Sequence, residues 1–201
     1  MRIGVDFDNT IVCYDGVFHA AAVERGLIPA DLPVNKDSVR DYLRRWGRED
    51  DWTELQGYVY GPRMCEAEPF PGALEFLERC ARVQVPVWII SHKTRYPCRG
   101  PEYDLHAAAR EWLETHGLHD AATVALPPDH VCLELTKPAK LARIAAVGCT
   151  HFVDDLPEFL AEPAFPPGVR RLLFDPRGQH EGGMLFPRAS TWEEIWELIH
   201  S

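Results

Sequence analysis

The sequence predicts an α/β fold built on a doubly wound parallel sheet, with a small, mostly helical insertion. Short apolar runs alternate with stretches of helical periodicity through most of the chain. Runs such as Val85 to Ile90 are nearly continuous, as expected of strands covered on both faces. Between residues 14 and 69 the pattern changes, and prolines and charges with interleaved aromatic residues replace the apolar runs.

Ile3-Gly4-Val5 reads as the first strand, ending in Asp6-Phe7-Asp8-Asn9-Thr10. After Ile11-Val12-Cys13 a helix is expected from about Gly16 to Arg25. Pro29, Pro33 and Pro62 interrupt the stretch from there to about Pro69. Charges cluster at Arg40-Asp41 and across residues 44–51, among Trp46, Trp52, Tyr58 and Tyr60. Residues 14–69 therefore form the insertion, and residues 1–13 and 70–201 the core. The simplest reading of the insertion is a solvated face over a few packed rings.

Phe70-Pro71-Gly72 opens an amphipathic helix, with Ala73, Phe76, Leu77, Cys80 and Ala81 on one stripe. Val85 to Ile90 is a buried strand, with Pro86 tolerable near its start, and Ser91-His92-Lys93-Thr94 comes directly after it. Residues 95–101 form a turn-rich loop, and Asp104 to His116 a helix ended by Gly117. Thr123 to Leu126 is expected as a short strand. Thr136-Lys137-Pro138 starts another helix, proline being at home in a first turn, and Gly148 stops it. His151-Phe152-Val153 leads into Asp154-Asp155. Leu172-Leu173-Phe174 is the last expected strand, and Trp192 to Ile199 a closing helix capped by Ser190 or Thr191. The sequence has no internal repeat and no low-complexity tract.

The chain has 201 residues, 46% of them hydrophobic and 26% charged, which suits one sizeable core or a domain with a small insertion. A formal charge of −10 argues against a nucleic-acid polymer as partner, because a phosphate backbone needs a basic face. The six cysteines are scattered without metal-ligand spacing and read as reduced thiols. No apolar run is long enough to span a membrane, and no leader is expected, so the cytoplasm is the default location.

Taken alone, Asp6-Phe7-Asp8 is as readily an acidic loop as a site. Two carboxylates about 4 Å apart repel by roughly 4 kcal/mol at an effective dielectric of 20, so a cation or proton belongs between them. In a parallel sheet the strand C-termini share one rim, where Asp6, Asp8, Ser91 and Asp155 would converge. Lys137, at a helix start, is placed to join them.

These segments, in this order, resemble the motifs of the haloacid dehalogenase (HAD) superfamily, phosphatase type. D-F-D-N-T is similar to its first motif, I-I-S to its second, the T-K-P lysine to its third and F-V-D-D to its fourth. The resemblance implies a Rossmann-like sheet of strand order 5-4-1-2-3, with a cap inserted after the first motif, where residues 14–69 lie. Lys140 is the alternative motif lysine. Lys137 is preferred because the family commonly has Lys-Pro there.

The resemblance also implies roles. Asp6 becomes the nucleophile that forms an aspartyl-phosphate, and Asp8 the acid, then base, of the two steps. Ser91 and Lys137 hold the phosphoryl oxygens. Mg²⁺ takes an Asp6 carboxylate oxygen, the Asp8 carbonyl and Asp155, with Asp154 a neighbouring carboxylate. Thr10, His92 and Lys93 join Ser91 and Lys137 as substrate-binding candidates. Tyr14, Asp15, Phe18, Arg44, Arg45, Tyr58, Tyr60 and Arg95 are further contacts to consider. A dehalogenase of this superfamily lacks an acid/base aspartate at position 8, which favours phosphate ester hydrolysis.

The expected substrate is a small phosphorylated metabolite. The compact cap and V-D-D-L-P are also similar to the 5′(3′)-deoxyribonucleotidases, so a nucleoside monophosphate is the runner-up, and a sugar phosphate is equally open. A non-catalytic phospho-acceptor or interaction module on a similar sheet is the alternative from another class. The oligomeric state is unknown from sequence.

Overall fold

The computed structural model describes residues 1–180 and 186–201. The chain begins with β1 (Ile3–Val5), β2 (Val12–Cys13), α1 (Asp15–Glu24), α2 (Lys36–Arg45) and α3 (Glu49–Tyr60). Next come β3 (Glu68–Pro69), α4 (Ala73–Arg82), β4 (Val87–His92), α5 (Leu105–Thr115) and β5 (Val131–Glu134). The last elements are α6 (Lys137–Val147), β6 (His151–Asp154), α7 (Pro157–Leu160), β7 (Arg170–Phe174), β8 (Arg188–Ala189) and α8 (Trp192–His200).

The main sheet has the order β5-β4-β1-β6-β7-β8, and every neighbouring pair is parallel. Leaving aside the edge strand β8, this is the expected 5-4-1-2-3 order read from the β7 side. β2 and β3 form a separate two-stranded pair. Pro86 lies just outside β4, where its missing N–H costs nothing and its carbonyl still accepts from Ile3 N–H at 3.0 Å.

One expected strand is wrong. Thr123 to Leu126 is not in the sheet; the third core strand is β5, paired with β4 from Ile89↔Val131 to His92↔Glu134. Ala125 adopts φ +52°, and both it and Thr123 donate to the Asp120 carbonyl, so the segment is wound into turns. β5 is an edge strand that is only partly covered. Its residues therefore lack the continuous apolar run by which the central strands are recognised.

By contacts the chain divides into two compact units. The first comprises residues 1–12, 69–93 and 117–201, and holds the main sheet. On one face of the sheet, Ile90, Leu141, Ile144, Phe152, Phe159, Leu160 and Leu173 form a buried cluster under α6 and α7. On the other, Phe70 and Trp192 pack on Phe174, with ring centroids 5.2 Å apart in both pairs, and Phe76 packs on Trp192 at 4.9 Å. Thr191 accepts from Glu194 N–H, while the Glu194 carboxylate accepts from Ser190 N–H, a reciprocal cap that starts α8.

The second unit comprises residues 13–68 and 94–116, so it holds more than the inserted segment. α5 belongs to it because buried Trp112 donates its indole N–H to the Ala67 carbonyl at 2.7 Å. Pro97 also lies where a Cβ on Gly57 would stand 2.6 Å from its ring. The rings of this unit pack on one another: Phe18 stacks on Trp52 at 5.0 Å, and Tyr14 meets Tyr60 edge-on at 4.9 Å. Among the described residues no helix is long and apolar enough to cross a membrane.

Candidate active site

Val5 pairs with Val153 on one side and Ile89 on the other, so Asp6 and Asp154 reach the C-terminal rim of the sheet side by side. Asp6 N–H donates to the Val153 carbonyl at 2.9 Å, which continues the ladder one residue past the strand. The chain then turns sharply. The N–H groups of Ile11 and Val12 both donate to the Phe7 carbonyl at 3.1 Å, and Asn9 takes φ +60°, a conformation asparagine tolerates. Thr10, fully buried by this turn, donates its hydroxyl to Asp155 Oδ1 at 3.3 Å.

Lys140 Nζ lies 2.6 Å from Asp6 Oδ1 and 2.6 Å from Asp154 Oδ2. Its side chain is 3% exposed, and the ammonium stands 4.1 Å from the centre of the Phe159 ring. Burial pulls this ammonium toward neutrality, but Asp154 and Asp6 together outweigh it and hold the group above its usual range. For Asp6 the balance runs the other way. Burial raises its carboxyl, Lys140 lowers it, and Asp154 and Asp8 raise it again, leaving it at about 7.

The lysine that reaches Asp6 is therefore Lys140, and the preference for Lys137 is corrected. Lys137 opens α6, about 4.5 Å of helix rise nearer the N-terminus. It lines a cavity of about 470 Å³ with Pro138, Leu141 and Glu162. Thr136 caps the helix by accepting from Ala139 N–H. Lys-Pro marks that helix start, whereas contact with the carboxylates falls to the lysine one turn further in.

Asp6, Asp154 and Asp155 offer carboxylate oxygens within 4.8 Å of one another. An all-oxygen set of this kind suits a hard cation such as Mg²⁺. The three do not offer equal access. Asp154 is fully buried, with Oδ1 accepting from Leu156 N–H at 2.9 Å and Oδ2 from Lys140. Its acceptors are committed to protein donors, which suits it to hold Lys140 in place. Asp6 meets Lys140 through Oδ1, and Asp155, half-buried at the rim, accepts from Thr10 on its own Oδ1.

Asp8 has its own cation. Lys93 Nζ donates to Asp8 Oδ1 and Oδ2, both at 2.9 Å, with the two side chains 2% and 17% exposed. The sequence offers Lys93 as a substrate contact; the structure places it on Asp8. Its backbone N–H donates to the Glu134 carbonyl at 2.8 Å, which extends the β4–β5 pairing and fixes where the side chain starts. Ser91 is buried inside β4, and His92 is the last residue of that strand, so both lie one or two residues earlier in the sheet than expected. The His92 imidazole titrates below its usual range, first through desolvation of the ring and then through the charges of Lys140 and Lys137.

Of the other candidate contacts, Tyr14 and Phe18 are core rings of the second unit. Asp15 accepts from Lys36 N–H, Tyr58 stacks under Arg25 at 4.4 Å, Arg44 pairs with Glu49 and Arg95 with Asp104. These residues have structural partners within their own unit.

Comparison with protein-family models gives no match. Comparison with curated proteins gives none either. Solved structures do match over nearly the whole chain. A HAD family hydrolase from Deinococcus radiodurans, solved with bound phosphate and sodium, is similar over 98% of this chain and 94% of its own, with a TM-score of 0.57 and 18% identity. A HAD-superfamily hydrolase of subfamily IA from Geobacter sulfurreducens is similar over 98% and 95%, with a TM-score of 0.58 and 14% identity. A dehalogenase is similar over 98% and 96%, with a TM-score of 0.56 and 14% identity. Strand order, rim and likeness agree: this chain has the fold of the haloacid dehalogenase superfamily.

Proposed function

We propose that this chain is a Mg²⁺-dependent phosphatase that hydrolyses small phosphate monoesters through an aspartyl-phosphate on Asp6. One observation carries the reading: at a parallel-sheet rim, the Asp6 carboxylate meets the Lys140 ammonium at 2.6 Å, within a cluster that includes Asp155. A lone acidic loop has no need of a buried lysine shared between two carboxylates.

Lys140 holds Oδ1 of Asp6, which leaves Oδ2 to attack phosphorus. The Asp6 O–P bond forms as the ester P–O bond breaks, and Asp8 gives its proton to the departing alcohol oxygen. Asp8 then takes a proton from the water that attacks the phosphorus of the acyl phosphate, which releases inorganic phosphate and restores Asp6. The Lys140 ammonium offsets negative charge gathering on the phosphoryl group. Asp6, Asp155 and the Asp8 carbonyl are the residues that would hold Mg²⁺, which when bound supplies positive charge to the phosphoryl oxygens. Thr10 orients Asp155 for that purpose.

Phosphatases and dehalogenases both occur among the similar structures. Asp8 favours the first, because an alkoxide leaving group needs a proton donor where a halide does not. The substrate is a small metabolite, with nucleoside monophosphates and sugar phosphates as its two leading classes. No nucleic-acid polymer or membrane is a partner in this reading, and the cytoplasm is its setting.

The test is phosphate release from an aryl phosphate with and without Mg²⁺, for the native chain and for Asp6→Asn. Metal-dependent release that Asp6→Asn abolishes is expected. Equal, metal-independent rates for the two proteins would overturn the proposal. A screen over sugar phosphates and nucleotides then finds the substrate class.

A further inference from the structure

We propose that Lys93 is a positioning residue for Asp8, fixing the carboxyl that serves the leaving group. The inference rests on the phosphatase reaction proposed for this site. It adds a residue outside the four resembling motifs and gives it a task.

A lysine ammonium that is 2% exposed keeps its charge only beside a compensating group. Here that group is Asp8, and the two 2.9 Å contacts span both carboxylate oxygens. One contact would leave the carboxylate free to pivot about the bonded oxygen, whereas an ammonium equidistant from both oxygens fixes the direction in which the carboxyl group points. The base of the Lys93 side chain is itself fixed, because its N–H is bonded to the Glu134 carbonyl at the end of the β4–β5 pairing. The sheet thus dictates the orientation of Asp8 through a side chain from a different strand.

Asp8 lies two residues beyond the last pairing of Asp6 with the main sheet, where it forms an isolated β-bridge with Val12. Proton transfer needs heavy atoms within about 2.6–3.2 Å, so a carboxyl that wanders loses much of its rate advantage. When Asp8 gives its proton to the bridging oxygen, the bond to phosphorus breaks and the alcohol leaves neutral. The carboxylate left behind is the species paired with Lys93, held ready to take a proton from water.

The experiment compares an alkyl phosphate, whose departure depends on a proton, with p-nitrophenyl phosphate, whose phenolate leaves largely without one. Both are measured in the Mg²⁺-loaded native protein and in Lys93→Met, Lys93→Arg, Asp8→Asn and the Asp8→Asn/Lys93→Met double variant. For Lys93→Met, kcat on the alkyl ester should fall roughly 10- to 100-fold, and on the aryl ester severalfold at most, with KM little changed. Lys93→Arg should recover part of the loss. In the Asp8→Asn background, Lys93→Met should cost nothing further.

Equal losses on the two esters, a fall confined to KM, or an undiminished loss in the Asp8→Asn background would each overturn the proposal. If the native protein releases no phosphate from either ester, the phosphatase reading fails and this role falls with it. The ion pair is then still read separately, as non-additive shifts in Tm across the native chain, the two single variants and the double variant. Additive Tm shifts would show that the pair itself is absent.

Discussion

Replacing Lys140 with methionine removes the cation that two buried carboxylates share. Each pairing has an N···O distance of 2.6 Å, and the three side chains are 3%, 7% and 0% exposed. At about 4 Å between charge centres and an effective dielectric of 20, each attraction amounts to about 4 kcal/mol. The cost of burying the ammonium offsets much of that sum. Removing one partner of a buried pair nonetheless costs about 3–5 kcal/mol, because the other charge is left uncompensated. Urea unfolding at pH 8 without Mg²⁺ should show a loss of that size for Lys140→Met. Lys137→Met should lose less than about 1 kcal/mol, since Lys137 has no ion pair among the described residues.

Acid should shrink the Lys140→Met penalty. In the native protein Asp6 is raised from 3.8 to about 7, so the folded state binds a proton there that the unfolded state has already lost. Ionising Asp6 therefore opposes folding as pH rises through that window, and removing Lys140 widens the window upward. At pH 5 Asp6 is neutral and no longer depends on the ammonium, so the penalty should be smaller than at pH 8. Equal losses for Lys140→Met and Lys137→Met, or a Lys140→Met loss unchanged by acid, would refute this account of the site.

Mg²⁺ should raise the Tm of the native protein at pH 8 and much less at pH 6, since Asp6 must shed its proton to bind. Below about 7 the apparent affinity should drop roughly tenfold per pH unit, and equal shifts at both pH values would contradict this. Gly4→Ala should destabilise the fold by about 1–3 kcal/mol or more. Its Cβ would stand 2.5 Å from Phe152 Cδ2 and 2.9 Å from Cys149 Sγ, and a chemical-denaturation midpoint near that of the native chain would argue against this packing. A thiol reagent under native conditions should modify exposed Cys65 and Cys98 first. Cys80 and Cys149, whose thiols burial pushes up to about 12 and 11, should react only on unfolding, as mass spectrometry of the labelled sites would show.

The sequence by itself determined the α/β class, the central strands and most helices. Those features are written in short-range patterns: Val85 to Ile90 is apolar almost without a break, Gly117 and Gly148 stop helices, and Asp6 comes directly after an apolar run. It also marked Asp6, Asp8, Asp154 and Asp155 as rim residues, because every strand of a parallel sheet ends at the same edge. Edge strand β5 was less legible, since partial cover erases the continuous apolar pattern.

Pairing between distant side chains was decided only in three dimensions. Whether Lys137 or Lys140 serves Asp6 depends on how far along α6 the helix meets the sheet, which no local pattern encodes. The contacts of Lys93 with Asp8 and of Thr10 with Asp155 likewise join positions 85 and 145 residues apart in sequence. Burial makes such pairings decisive. Away from water, each charge must find its partner within about 3 Å, and only the folded chain fixes which partner that is.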